Sequence, residues 1–398
     1  MPKIEHITPA RMLEDSFKLG EKIYRAGFRP KHAISIWRGG TAVGLGVDAY
    51  FRQQGLFINH TTIATESYVG MGQQEEVIVK GLEHVIETIC KEDHLLLIDD
   101  VYETGNTIRK IIETLRRKAR ANFPDHILVG TIHRKPEKVE YDAVRVCCLY
   151  DLPGDTWIDY PHELADLVTD DPEDPLLKQK DPDIWRIIRA QHFEPEEESI
   201  EGPYRYAQPG ELLLDAMKLG VNIFNDSDFH PNFIVALWPG GVEAGLPLHE
   251  VYKYKLKKTG QKRAVPDHIS LNIVPTHYSY KTAVLGLNYL AEHISREHNV
   301  LLVDSTFKGG RFVNAAIMHL KEVLRRNIRD DRVRVASLYW NPDDQSTWTV
   351  RPIIKAPHYY IKKIDKTVVY PYAVHRLADP ATELKALNPR LHGVLFPD

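Results

Sequence analysis

The run HLLLIDDVYETGNT, His94 to Thr107, gathers side chains that could handle a phosphorylated sugar. An aliphatic stretch ends in Asp99 and Asp100; Val101, Tyr102 and Glu103 follow, then Thr104, Gly105, Asn106 and Thr107. A strand-to-helix turn of this type aims backbone N–H groups and the positive end of a helix dipole at one point, which suits a phosphate. Gly105 permits close backbone approach, and Thr104 and Thr107 offer hydroxyl donors. Carboxylates repel phosphate, so the acids need a different role. Asp99 and Asp100 suit sugar hydroxyls and a hydrated Mg²⁺ carried by a polyphosphate. Glu103, at the crest of the turn, suits proton acceptance from another part of the ligand. The competing reading is a solvated turn that merely caps a helix. No GxxxxGK[ST] occurs and no GxGxxG follows a strand, which argues against a P-loop NTPase and a dinucleotide fold.

The elements that must position this turn occur twice. DSFKLGEKIYRAGFRPKHAISIWRGGTAVGLGV, from Asp15, has an echo in DAMKLGVNIFNDSDFHPNFIVALWPGGVEAGLPL, from Asp215. Both spell an amphipathic helix, a turn, a strand ending in Trp, a paired-glycine turn and a second helix. LLLIDDVYETGNTIRKIIETL is likewise echoed by LLVDSTFKGGRFVNAAIMHL, and DTWIDYPHEL more weakly by KTVVYPYAVHRL. A self-similarity with a period of about two hundred residues predicts a tandem duplication. Strands alternating with helices predict an α/β fold of two similar domains, each a largely parallel sheet flanked by helices with a small hood.

The chain has 398 residues, 43% hydrophobic and 27% charged, which fits a globular protein of two or three domains. The expected limits are 1–165, an acidic, proline-rich linker with a short helix at 166–203, and 204–398. No apolar run suits a membrane span or a signal peptide, so a cytoplasmic location is expected. A net charge of -4 without a basic run argues against nucleic acid as partner. Cys90, Cys147 and Cys148 show neither a disulfide framework nor zinc spacing.

LLLIDDVYETGNT resembles the phosphoribosyl pyrophosphate (PRPP) binding motif of type I phosphoribosyltransferases. Three further segments resemble the 6-oxopurine branch, the hypoxanthine, guanine and xanthine enzymes. SIWRGG is similar to its pyrophosphate loop, with Arg38 and Gly39 in place. ESYVGMGQQ is similar to its mobile catalytic loop, with Ser67 and Tyr68 as the Ser-Tyr pair. TIHRKPEK and DTWIDYPHEL are similar to its base-recognising strand and hood, with Lys135 toward the purine 6-oxo group, Trp157 as the stacking aromatic, and Ile158 and Asp159 at the purine edge. Each residue alone also has an ordinary structural reading; their order along residues 10–165 outweighs it. His133 and His162 are read as structural.

The resemblance implies a reaction of Mg-PRPP with a 6-oxopurine, giving the nucleoside 5′-monophosphate and pyrophosphate. The PRPP site would run from Asp99 through Thr107 with Arg38 and Gly39, and Asp99, Asp100 and Asp159 would face the metal. Glu103 would act near the base's N7, where the family more often carries aspartate. The catalytic set would be Glu103, Arg38, Ser67 and Tyr68.

The echo keeps the skeleton and loses the charges. Asp100 corresponds to Ser305, Glu103 to Lys308, Thr104 to Gly309, Thr107 to Phe312, Arg38 to Pro239 and Lys135 to Asn341. The second half is therefore expected to be catalytically silent. It would serve as a scaffold that makes the chain a pseudo-dimer, with further homo-oligomerisation left open, or as a regulatory anion site at Asp304, Lys308, Gly309, Gly310 and Arg311. The alternative for the whole chain is a non-catalytic PRPP or nucleotide sensor on the same fold.

Overall fold

The computed structural model describes residues 3–68, 76–275, 282–342 and 352–397. Contacts divide the chain into two compact units, Met1–Tyr160 with Val369–Asp398, and Pro161–Val368.

The first unit runs β1 (Ile4–His6), α1 (Pro9–Arg25), β2 (His32–Trp37), α2 (Gly39–Gln53), β3 (Asn59–Tyr68), β4 (Glu76–Lys80), α3 (Glu83–Thr88), β5 (His94–Tyr102), α4 (Asn106–Ala119), β6 (His126–Arg134), β7 (Arg145–Asp151) and β8 (Trp157–Asp159). Its sheet has the order β4-β3-β2-β5-β6-β7. All ladders are parallel except β3–β4. The central strand β5 is aliphatic because both its faces are covered. Leu96 and Ile98 pack with Leu19, Ile23, Val43 and Val47 of α1 and α2, while Leu95 and Leu97 pack with Ile108, Ile111 and Leu115 of α4. β8 leaves the main sheet and pairs with β1 in a separate two-stranded hood.

The second unit runs α5 (Pro175–Lys180), α6 (Pro182–Arg189), β9 (Glu196–Glu198), β10 (Tyr204–Tyr206), α7 (Pro209–Asn225), β11 (Phe233–Trp238), α8 (Gly240–Thr259), β12 (Asp267–Pro275), β13 (Thr282–Leu285), α9 (Leu287–His293), β14 (Val300–Lys308), α10 (Arg311–Leu324), β15 (Val333–Asn341), β16 (Tyr359–Ile364) and β17 (Thr367–Val369). Its sheet order, β13-β12-β11-β14-β15-β16-β9, repeats that of the first unit and adds β9 at one edge. The α/β architecture with two similar, largely parallel sheets is thus present.

The units differ from the expected limits at both ends. Residues 166–203 are packed rather than a bare linker: Leu177, Ile184, Ile187 and Ile188, with Leu164 just before them, bury themselves with Leu213, Met217, Val221, Val251 and Tyr254. The acids and prolines of this stretch occupy turns and caps, as where the Asp181 carboxylate accepts N–H groups at the start of α6. The last segment, with α11 (Pro380–Leu387) and α12 (Pro389–Leu395), belongs to the first unit, where α12 packs on α1 and the turn Val374–Arg376 on α2. Among the described residues no helix is long and apolar enough to cross a membrane.

Candidate functional site

The site lies at the carboxyl ends of β2, β5 and β6, where a parallel sheet leaves room between strand and helix. Arg38 ends the β2 turn as the N-cap of α2. Directly behind it, the helix start rests on β5: a side-chain carbon on Gly39 would lie 1.8 Å from Asp100 Oδ2, and one on Gly40 would lie 2.2 Å from the Ile98 carbonyl oxygen. Only glycines permit that approach.

Asp100 is buried, and its Oδ1 accepts the Val101 N–H at 2.8 Å. Burial pushes its carboxyl above the ordinary range, against the opposing pull of that N–H and of the Arg38 charge. Asp99 Oδ1 accepts the Asp100 N–H at 3.1 Å. The acids do not terminate the strand. β5 continues to Tyr102 because Val101 and Tyr102 still pair with His133 and Arg134. The Asp100 carbonyl is held by the Thr131 hydroxyl at 2.9 Å and the Tyr160 hydroxyl at 3.0 Å.

The turn Glu103–Gly105 is clamped from the side. The Thr104 carbonyl accepts N–H groups of Glu140 and Tyr141, at 3.0 and 3.1 Å, and the Tyr102 hydroxyl donates to the Tyr141 carbonyl. Gly105 takes φ 79° as the N-cap of α4, so Asn106 and Thr107 open the helix with their N–H groups at its dipole end. Asn106 Nδ2 donates to Glu140 at 3.0 Å, and Thr107 is half-buried.

Glu103 meets two lysines. Its Oε1 accepts from Lys138 Nζ at 2.5 Å and from Lys135 Nζ at 3.3 Å. Burial tends to raise its carboxyl, but the two ammonium groups outweigh that and hold it below the ordinary range. Lys135 is itself buried, and its N–H donates to the Tyr102 carbonyl at 3.0 Å. The arrangement joins the acid-rich turn to the segment expected to read a base.

In the hood, Trp157 is 49% exposed and Ile158 turns into the core. Asp159 is buried with Oδ2 2.7 Å from His6 Nδ1. Ser67 and Tyr68 close β3, paired with Val77 and Glu76; their side chains, and residues 69–75 of the expected loop, lie outside the described residues. His133 is fully buried, 2.8 Å from the Tyr160 hydroxyl, and burial pulls its imidazole down to about 4, so it is neutral structure.

No protein-family model matches the chain, and no curated protein does. Solved structures do. Several of these are purine phosphoribosyltransferases. The purine phosphoribosyltransferase of Pyrococcus horikoshii is 19% identical over 41% of this chain and 95% of its own, with a TM-score of 0.31. The xanthine-guanine-hypoxanthine enzyme of Helicobacter pylori is 18% identical over 39% and 92%, with a TM-score of 0.32. A hypothetical protein of Neisseria gonorrhoeae with bound ppGpp is 22% identical over 42% and 92%, with a TM-score of 0.35.

Sequence reasoning missed Lys138, Thr131, Tyr160 and His6. Nothing local marks them; the partner strand or turn alone reveals what they touch. In the second unit, Ser305 and Asn341 are buried, Lys308 is exposed, and Phe312 is 43% exposed rather than folded into the turn. Asn341 Nδ2 donates to the Lys366 carbonyl at 3.1 Å, a bond that fixes backbone.

Proposed function

We propose that the first unit transfers the 5-phosphoribosyl group from Mg-PRPP to a 6-oxopurine, giving the nucleoside 5′-monophosphate and pyrophosphate in purine salvage. The observation that carries this reading is the contact of Glu103 with Lys135, at 3.3 Å. Two segments read separately, one for the sugar phosphate and one for the base, meet at that pair. Arg38 beside Asp100 and the exposed Trp157 support the same division of labour.

Asp99 and Asp100 supply hard carboxylate oxygens that fit Mg²⁺ arriving with the polyphosphate. The ion would neutralise charge building on the departing pyrophosphate. Asp159 is engaged by His6, so the metal role rests mainly on the other two acids. Arg38 would meet pyrophosphate oxygens. Asp99 would accept from ribose hydroxyls, and the N–H groups opening α4, with Thr104 and Thr107, would hold the 5′-phosphate. Such a transfer passes through a state with oxocarbenium character, so the protein stabilises separated charge and needs no nucleophile. Lys135 would donate to the 6-oxo group and Trp157 would stack on the ring. Closure of the Ser67-Tyr68 segment would exclude water.

The second unit, in this reading, is a duplicated copy that has lost the chemistry and acts as scaffold. The chain would work in the cytoplasm. A non-catalytic sensor remains the second reading, favoured by the ion pairing that already occupies Glu103. The double variant Asp99→Asn with Asp100→Asn tests the transferase reading. It should abolish nucleotide formation while its melting temperature stays within a few degrees; unchanged turnover removes the proposal.

A further inference from the structure

In the second unit α10 turns an apolar face to solvent. Its inner side places Val313, Ile317, Leu320 and Leu324 in one core with Leu302 and Val335 of the sheet. On the outer side, helical spacing makes two adjacent rows along the helix. Arg311, Ala315, Met318 and Glu322 form one; Phe312, His319 and Val323 form the other. Phe312 is 43%, Met318 50% and Val323 45% exposed. Ala315 and His319 are half-buried.

The counterpart helix α4 shows that the fold does not require such a face. The echo that sets Thr107 against Phe312 sets Asn106, Lys110, Glu113 and Arg117 against the first row, and Thr107, Thr114 and Lys118 against the second. None of these positions is buried in either helix. All seven are polar in α4, whereas four of the seven are apolar in α10. Exposed apolar side chains gathered on one face, where the twin helix carries polar groups, mark an interaction surface.

We propose that this face pairs with itself: two copies of the chain associate through α10, with the helices antiparallel about a two-fold axis beside Met318. A two-fold contact needs a surface complementary to its own copy, and antiparallel pairing supplies one. Phe312 near one end of the helix meets the second copy's Val323 near the opposite end, and Met318 meets its own equivalent. Ala315 is small enough to let the helices approach. The charges fit as well: Arg311, at the start of the first row, meets the second copy's Glu322, at the end of that row. His319 Nδ1 lies 3.1 Å from Glu322 Oε2, which keeps that carboxylate on the face. A parallel arrangement would instead oppose like charges at both ends. One 14-residue helix per copy, about 21 Å long, buries less than the roughly 1,200 Å² of a standard interface, so the dimer should form only as concentration rises. This inference does not depend on the transferase reading.

The test is sedimentation of the full chain over a concentration series reaching about 100 μM, where interfaces of limited area associate. Wild type should pass from monomer to dimer. Met318→Glu, at an exposed position, should weaken association about tenfold by placing like charges at the axis. Glu322→Arg should weaken it too, and adding Arg311→Glu in the same chain should restore it. Mild oxidation supplies a second measurement. It should join Met318→Cys chains to one another, but leave Val323→Cys chains separate unless Phe312→Cys accompanies it; wild type controls for the exposed Cys90. A wild type that stays monomeric, a dimer that Met318→Glu leaves intact, or cross-linking of Val323→Cys alone overturns the proposal.

Discussion

Glu103 shows how neighbours redefine a residue. Wedged between Lys138 and Lys135, its carboxylate is a weaker base than an ordinary glutamate. In the proposed reaction it would stabilise positive charge on the attacking ring more than retain a proton. The sign of the pH effect follows. An acid with a depressed pKa stays ionised until the pH falls through that low value, and activity that needs the anion is lost there. Removing Lys138 raises the pKa, so Lys138→Met should move the acid limb of the kcat/KM profile toward neutrality. A limb that does not move assigns it to another group. Asp99, Asp100 and Glu103 were legible in the sequence because acids follow an aliphatic run and precede a Thr-Gly turn. Lys138 has no such setting, and His6 lies 153 positions from the carboxylate it holds.

At the scale of elements, the site is made by the start of α2 lying against β5. The neighbours of Gly39 and Gly40 differ in kind, and so should their variants. Gly39→Ala meets a side chain, the buried Asp100 carboxyl group with its Cγ at 2.2 Å, which must swing as a whole to clear it, whereas Gly40→Ala meets the Ile98 carbonyl of the β5 backbone, which cannot move. Gly39→Ala should keep more of the stability than Gly40→Ala and lose about 10²-fold in kcat/KM for PRPP, because Asp100 is displaced. Gly40→Ala should instead cost about 1–3 kcal/mol of stability through overpacking and so lower the melting temperature. Steady-state kinetics and thermal melts on the two variants check this; equal kinetic loss at equal stability would contradict it. The order of strands and helices was legible, because period-2 and period-3.6 patterns alternate cleanly. The length of β5 beyond the acids was not, since pairing with β6 sets it.

For the molecule as a whole, the sequence showed two similar halves but not where each half ends. Hydrophobic spacing in Val374–Leu395 announces that these turns and helices bury a face; it does not say against which helix. Leu384 and Leu391 are buried in the first unit, with α12 packed on α1. Deleting residues 369–398 should therefore lower the melting temperature and cost the proposed activity, although every proposed catalytic residue precedes Tyr160. Circular dichroism melts and turnover of the truncated chain test this, and full activity with an unchanged melt would contradict it. The account's central claim meets its most direct test in one assay. The full chain is incubated with Mg-PRPP and, separately, hypoxanthine, guanine, xanthine, adenine, uracil and orotate, and nucleotide and pyrophosphate are followed. Equal amounts of both products, formed only with 6-oxopurines, are the expected result; no product with any base would contradict the transferase reading.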